Sequence, residues 1–70
     1  MRISARNILA GTVLEIVPGA VTSHVRLDLG GGAVVTASIT NEAVAELGLK
    51  VGGKASAVIK ASDVMIGVDD

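Results

Sequence analysis

The strongest constraint on this chain is the alternation between Val21 and Leu29. Val21, Val25, Leu27 and Leu29 fall on one face of an extended backbone, and Thr22, His24, Arg26 and Asp28 on the other. Only Ser23 breaks the apolar row. A repeat of two is the mark of a strand buried on one face. Such a strand needs neighbours, and the rest of the chain supplies them. Ile8–Val17 reads as a strand with apolar residues on both faces, covered on one side by the core and on the other by a partner. Pro18-Gly19 separates it from the alternating strand and suits a type II turn. Gly30-Gly31-Gly32 reads as a hairpin turn into a third strand, Ala33–Ile39, with Val35, Ala37 and Ile39 on one face.

The pattern then changes. Thr40 is a good N-cap, Glu42 suits the positive end of a helix, and Ala43 to Leu47 are mostly helix formers before Gly48 supplies the stop. An irregular connection leads to a fourth strand, Ala55–Lys60. A fifth, Asp63–Val68, is expected to turn Val64, Ile66 and Val68 inward. Five short strands with one short helix between the third and fourth predict an all-β, OB-like, partly open small barrel. No repeat, linker or low-complexity tract divides residues 1–70, so they read as a single domain.

Size makes that barrel hard to stabilise alone. A 70-residue chain buries only about 60% of its unfolded surface, and chains this small commonly depend on disulfides, a metal or association. There is no Cys and one His, which removes the first and leaves no ligand set for a protein-only metal cage. An obligate oligomer is the expectation that remains.

The absence of Phe, Trp and Tyr, with a net charge of −1, argues against nucleic acid, which calls for clustered cations and aromatic stacking platforms. Half of the residues are hydrophobic and 19% charged, which is wrong for a disordered chain. No apolar run spans a bilayer, and Arg6 and Asn7 interrupt any signal-like start, so cytoplasm is the expected location. Catalysis finds little support. The lone His24 sits on the polar face of its strand, no nucleophile elbow surrounds a serine, and the carboxylates are scattered. The glycine run lacks the Lys-Ser/Thr ending and following helix of a phosphate loop. No catalytic residue, metal ligand or catalytic cofactor is assigned.

Two polar segments at strand ends stand out. Ser4-Ala5-Arg6-Asn7 leads into the first strand, and Lys60-Ala61-Ser62 lies between the last two. Each combines a cation, a hydroxyl and accessible backbone N–H groups, the ingredients of a small-oxyanion site. The same residues also fit a second reading, as solvated surface charges beside turn-forming serines.

At these residues the chain resembles the molbindins, the Mop-type molybdate-binding domains. The pattern comprises Ser4-Ala5-Arg6-Asn7-Ile8-Leu9-Ala10-Gly11-Thr12-Val13, Ala37-Ser38-Ile39-Thr40, Leu47-Gly48-Leu49 and Ile59-Lys60-Ala61-Ser62-Asp63-Val64. It extends over essentially the whole chain, departing at Thr22-Ser23-His24, where Asn-Ala-Glu is commoner. The resemblance implies an OB-like barrel assembled as a homohexamer, a trimer of dimers, with molybdate or tungstate held non-covalently at subunit interfaces. Carried over, Ser4, Ala5 (by its backbone) and Arg6 would contact the anion from one subunit, and Lys60, Ala61 (by its backbone) and Ser62 from its neighbour. Ala20 and Val21 would add backbone donors. The implied function is cytoplasmic molybdate binding and storage. Two other readings stand beside it: a ligand-free oligomerisation domain, and a nucleic-acid-binding OB module.

Overall fold

In a computed structural model describing residues 1–70, four antiparallel strands form one sheet. They are β1 (Asn7–Pro18), β2 (Thr22–Gly30), β3 (Ala33–Thr40) and β4 (Lys54–Ile59), in the order β3-β2-β1-β4. A short helix, α1 (Asn41–Leu47), lies between β3 and β4, and a single 3-10 turn, Ala61–Asp63, follows β4. No helix is long and apolar enough to cross a membrane.

The alternation from Thr22 to Leu29 is the spine of the fold; Val21, expected on its buried face, is instead 70% exposed and lies in the turn before β2. Ser23, Val25 and Leu27 are buried and Leu29 half-buried, while Thr22, His24 and Asp28 are exposed. Val35, Ala37 and Ile39 of β3 likewise face inward between exposed neighbours. All three glycines of the β2–β3 turn have positive φ, which a side chain would oppose. Thr40 caps α1, its Oγ1 accepting from the Ala43 N–H at 3.0 Å, and Gly48 ends it in the left-handed conformation.

β1 is long because it serves two partners. Its first half, Asn7–Thr12, pairs with β4, and its second half pairs with β2. Within the part paired with β2, Leu14 is skipped in the ladder, a bulge that bends the strand and curls the sheet. On the β4 side of this bend Val13 exchanges hydrogen bonds with the connection before β4. Its N–H donates to Gly53 O and its carbonyl accepts from the Gly52 N–H, both at 2.8 Å. Val13 thereby becomes the centre of the core, 1% exposed, with Val25 and Leu27 beside it. Ile16, Ile39, Val44 and Leu49 pack around them.

Three further expectations are corrected. The architecture is a curled, half-barrel sheet of four strands, so the fifth strand at Asp63–Val68 is absent. Val64 is 45% exposed and Ile66 and Val68 both 87%, so none of them turns inward. Alternation alone does not make a strand; its backbone groups also need an edge to pair with, and this segment pairs with neither β3 nor β4 of its own chain. The fourth strand ends at Ile59, one residue early, because Lys60 starts the 3-10 turn. The Pro18-Gly19 turn is not type II, since Gly19 lacks the positive φ that type requires. Pro18 instead ends β1, and Gly19 donates its N–H to Thr22 O at 2.8 Å. Gly19 is small for a different reason: a Cβ there would lie 2.8 Å from that same oxygen.

Candidate functional site

The anion-type segments leave the sheet side by side. Asn7 and Ile59 form the last rung of the β1·β4 ladder, and the Asn7 side-chain amide donates to Ile59 O at 3.1 Å. Arg6 precedes one member of this rung and Lys60 follows the other, so Ser4-Ala5-Arg6 and Lys60-Ala61-Ser62 issue from one end of the sheet. Ala5 is half-buried and the other five residues are exposed.

Their hydrogen-bonding capacity is uncommitted. No side-chain hydrogen bond or ion pair within the chain uses Ser4, Arg6, Lys60 or Ser62. The 3-10 turn occupies carbonyls: Asp63 N–H donates to Lys60 O at 2.9 Å and Val64 N–H to Ala61 O at 3.3 Å. The leading N–H groups of such a turn have no acceptor inside it. One end of the sheet therefore presents two cations, two hydroxyls and a set of backbone donors. This is suited to a compact anion.

Ala20 and Val21 lie elsewhere. They form the β1–β2 turn, at the opposite end of the twelve-residue β1. At about 3.3 Å per residue the two ends are about 36 Å apart along the strand. Both residues are exposed, and neither N–H donates to an acceptor in the chain. One chain thus brings six of the eight candidate residues to one sheet end, where the resemblance implied that Ser4-Ala5-Arg6 and Lys60-Ala61-Ser62 meet from neighbouring subunits, and keeps the other two remote.

The turn carrying Ala20 and Val21 is held by Asn41, which no sequence pattern marks, and by Ser23, the one break in the apolar row. Asn41, the first residue of α1, donates from Nδ2 to Gly19 O and from its backbone N–H to Val21 O, both at 2.9 Å. Ser23 Oγ donates to Asn41 Oδ1 and is 2% exposed. The signal was present: a hydroxyl interrupting an apolar face calls for a buried partner.

The chain has one open concavity, about 490 Å³, beside Gly11, Thr12, Asp28 and Lys54. It lies outside the candidate residues. Its polar groups largely satisfy one another, Lys54 Nζ donating to Thr12 Oγ1 at 3.1 Å and Gly30 N–H to Asp28 Oδ1 at 2.8 Å. His24 is exposed on the outer face of β2. No three His, Asp or Glu residues gather as a metal site.

Residues 3–66 match the TOBE domain family. The chain belongs to that family. It is 49% identical over 69 residues to the probable molybdenum-pterin-binding protein of Haemophilus influenzae, covering 99% of this chain and 100% of that one. The fold is shared with MopII from Clostridium pasteurianum in an apo form. That structure superposes with a TM-score of 0.88 at 45% identity, over 96% of this chain and 100% of that one. A molybdate-bound crystal form of the cytoplasmic molybdate-binding protein ModG superposes at 0.93 with 61% identity, over 99% of this chain and 49% of ModG. These similarities place this TOBE domain in the Mop-type group.

Proposed function

We propose that this TOBE domain binds molybdate, and tungstate by the same chemistry, as a storage and homeostasis protein of the cytoplasm. The observation that carries the proposal is the junction of Ser4-Ala5-Arg6 and Lys60-Ala61-Ser62 at one sheet end, with the Ser4, Arg6, Lys60 and Ser62 side chains unpaired within the chain. Arg6 and Lys60 supply the charge for a tetrahedral dianion. Ser4, Ser62 and the backbone N–H groups of Ala5 and Ala61 supply directional donors. Sulfate has the same charge and shape with shorter bonds, so cavity size and donor spacing discriminate between them. Binding is non-covalent, and no step requires a cofactor.

The assembly completes the site. Ala20 and Val21 reach an anion held by Arg6 or Lys60 only from a second copy, because β1 separates them within one chain. The surface supports association. The isolated chain exposes 5389 Å², whereas a compact protein of 7.0 kDa exposes roughly 4,000 Å². The difference exceeds the roughly 800 Å² that one partner contributes to an ordinary interface. Much of it is apolar: Leu14, Val17, Val51, Met65, Ile66 and Val68 are all exposed. A homohexamer built as a trimer of dimers accommodates these surfaces and shares each anion between subunits.

Calorimetric titration with molybdate, tungstate and sulfate tests the reading. Heat from the first two at micromolar protein, with weak or no heat from sulfate, is expected. No molybdate heat overturns it. A melting temperature unmoved by molybdate would instead favour a ligand-free assembly domain.

A further inference from the structure

Resting on the molybdate reading above, we infer that Asn41 is a positioning residue for the anion site, holding the Ala20 and Val21 N–H groups in a fixed pair aimed away from their own chain. Asn41 lies in a different element from that turn and carries no charge, so its effect must pass through the backbone it grips.

The argument begins with peptide geometry. In a planar trans peptide the C=O and the following N–H point in opposite directions, and no peptide bond in the chain is cis. Gly19 O belongs to the same peptide plane as the Ala20 N–H. Asn41 Nδ2 takes Gly19 O at 2.9 Å, so the Ala20 N–H is directed away from Asn41. The next anchored plane begins at Val21 O, held by the Asn41 backbone N–H at 2.9 Å. Between the two lies the Ala20–Val21 peptide, with neither its C=O nor its N–H engaged in the chain. The Gly19 N–H to Thr22 O bond at 2.8 Å closes the turn around it.

The orientation of the Asn41 amide is itself determined. Ser23 Oγ can donate only to Oδ1, which leaves Nδ2 facing Gly19 O. Ser23 is held in turn within the β1·β2·β3 ladders, opposite Pro18 and Ile39. The sheet interior therefore sets the direction of the exposed Ala20 N–H through one hydroxyl and one amide, and the planes on either side of the Val21 N–H are held by Asn41. Donors fixed before the ligand arrives lose less freedom on binding and preserve a spacing that separates one tetrahedral anion from a smaller one.

Two measurements test this together. In 15N-labelled wild-type protein, adding molybdate should shift the Ala20 and Val21 amide resonances downfield. In Asn41→Ala, calorimetry should show molybdate affinity lowered at least about tenfold and a smaller molybdate-to-sulfate preference, with the ligand-free assembly intact by sedimentation. Asn41→Asp should lose more, because a carboxylate cannot donate to Gly19 O and adds negative charge. Molybdate binding in the wild type with unmoved Ala20 and Val21 amides overturns the inference, whether or not the variants fold. So does wild-type affinity in Asn41→Ala. If the wild type binds no molybdate, the functional reading falls and this inference with it; the first two failures leave that reading standing.

Discussion

Asn7 faces Ile59 across the terminal rung of the β1·β4 ladder, and its side-chain amide ties the two strands together at 3.1 Å. This pair sets the spacing between the strand exits that carry Arg6 and Lys60. The strand exits that carry the two cations are separated by over fifty residues in sequence and meet at one rung of the sheet.

Replacing Arg6 or Lys60 with Ala should weaken molybdate binding by roughly 10- to 100-fold each. A hydrogen bond to a charged group contributes about 1.5–3 kcal/mol. Both side chains are exposed and unpaired in the chain, so the melting temperature without ligand should barely change. Titration calorimetry and a thermal melt decide; unaltered affinity in both variants would refute the site.

Val13→Ala should act in the opposite way, through stability alone. Val13 is 1% exposed at the bend of β1, and a cavity there should cost on the order of 2 kcal/mol. For a chain this size that lowers the melting temperature by about 8–16 °C. Denaturation followed by circular dichroism would measure it.

Gly11→Ala tests close approach in the sheet. A Cβ at Gly11 would sit 2.7 Å from Asp28 O and 3.0 Å from Leu29 Cδ2. Backbone must move to admit it, at about 1–3 kcal/mol. Gly31→Ala meets no atom within 4 Å but has φ of +61°, so a smaller loss of about 1–2 kcal/mol is expected. Urea denaturation of the two variants should rank them in that order; a reversed order would contradict the sheet geometry.

Ile66→Asp examines the apolar tail. Ile66 is 87% exposed and Met65 93%, so the charge should leave the isolated fold unaffected. Where copies cover this segment, it should weaken association by about 2 kcal/mol or more, near 30-fold. Sedimentation velocity should then show smaller species at low micromolar concentration. An unchanged sedimentation profile would remove the tail from the interface.

Much of the strand pattern was legible because one-faced burial leaves a repeat of two, as at Val25, Leu27, Val35 and Ile39. The helix was legible from Thr40 and Gly48, whose roles depend on local chemistry. The tail was misread for the same reason. Val64, Ile66 and Val68 alternate like a strand, but pairing requires an available edge in the right place, and local sequence carries no information about that. The bulge at Leu14 and the anchoring of the β1–β2 turn by Asn41 depended on non-local partners as well.

Local sequence by itself determined which residues alternate along β2 and β3, where the chain turns into its helix, and which residues carry cations and hydroxyls. It also determined that a chain without aromatic residues or cysteines would have a thin core. Tertiary structure decided the rest. It set Arg6 beside Lys60 and sent Ala20 and Val21 to the far end of β1. It also converted Ser23, a flaw in an apolar row, into the buried hydroxyl that orients Asn41. The physical reason is that side-chain periodicity and capping act over a few residues, whereas ladder register and hydrogen-bond satisfaction are settled between segments brought together only by folding.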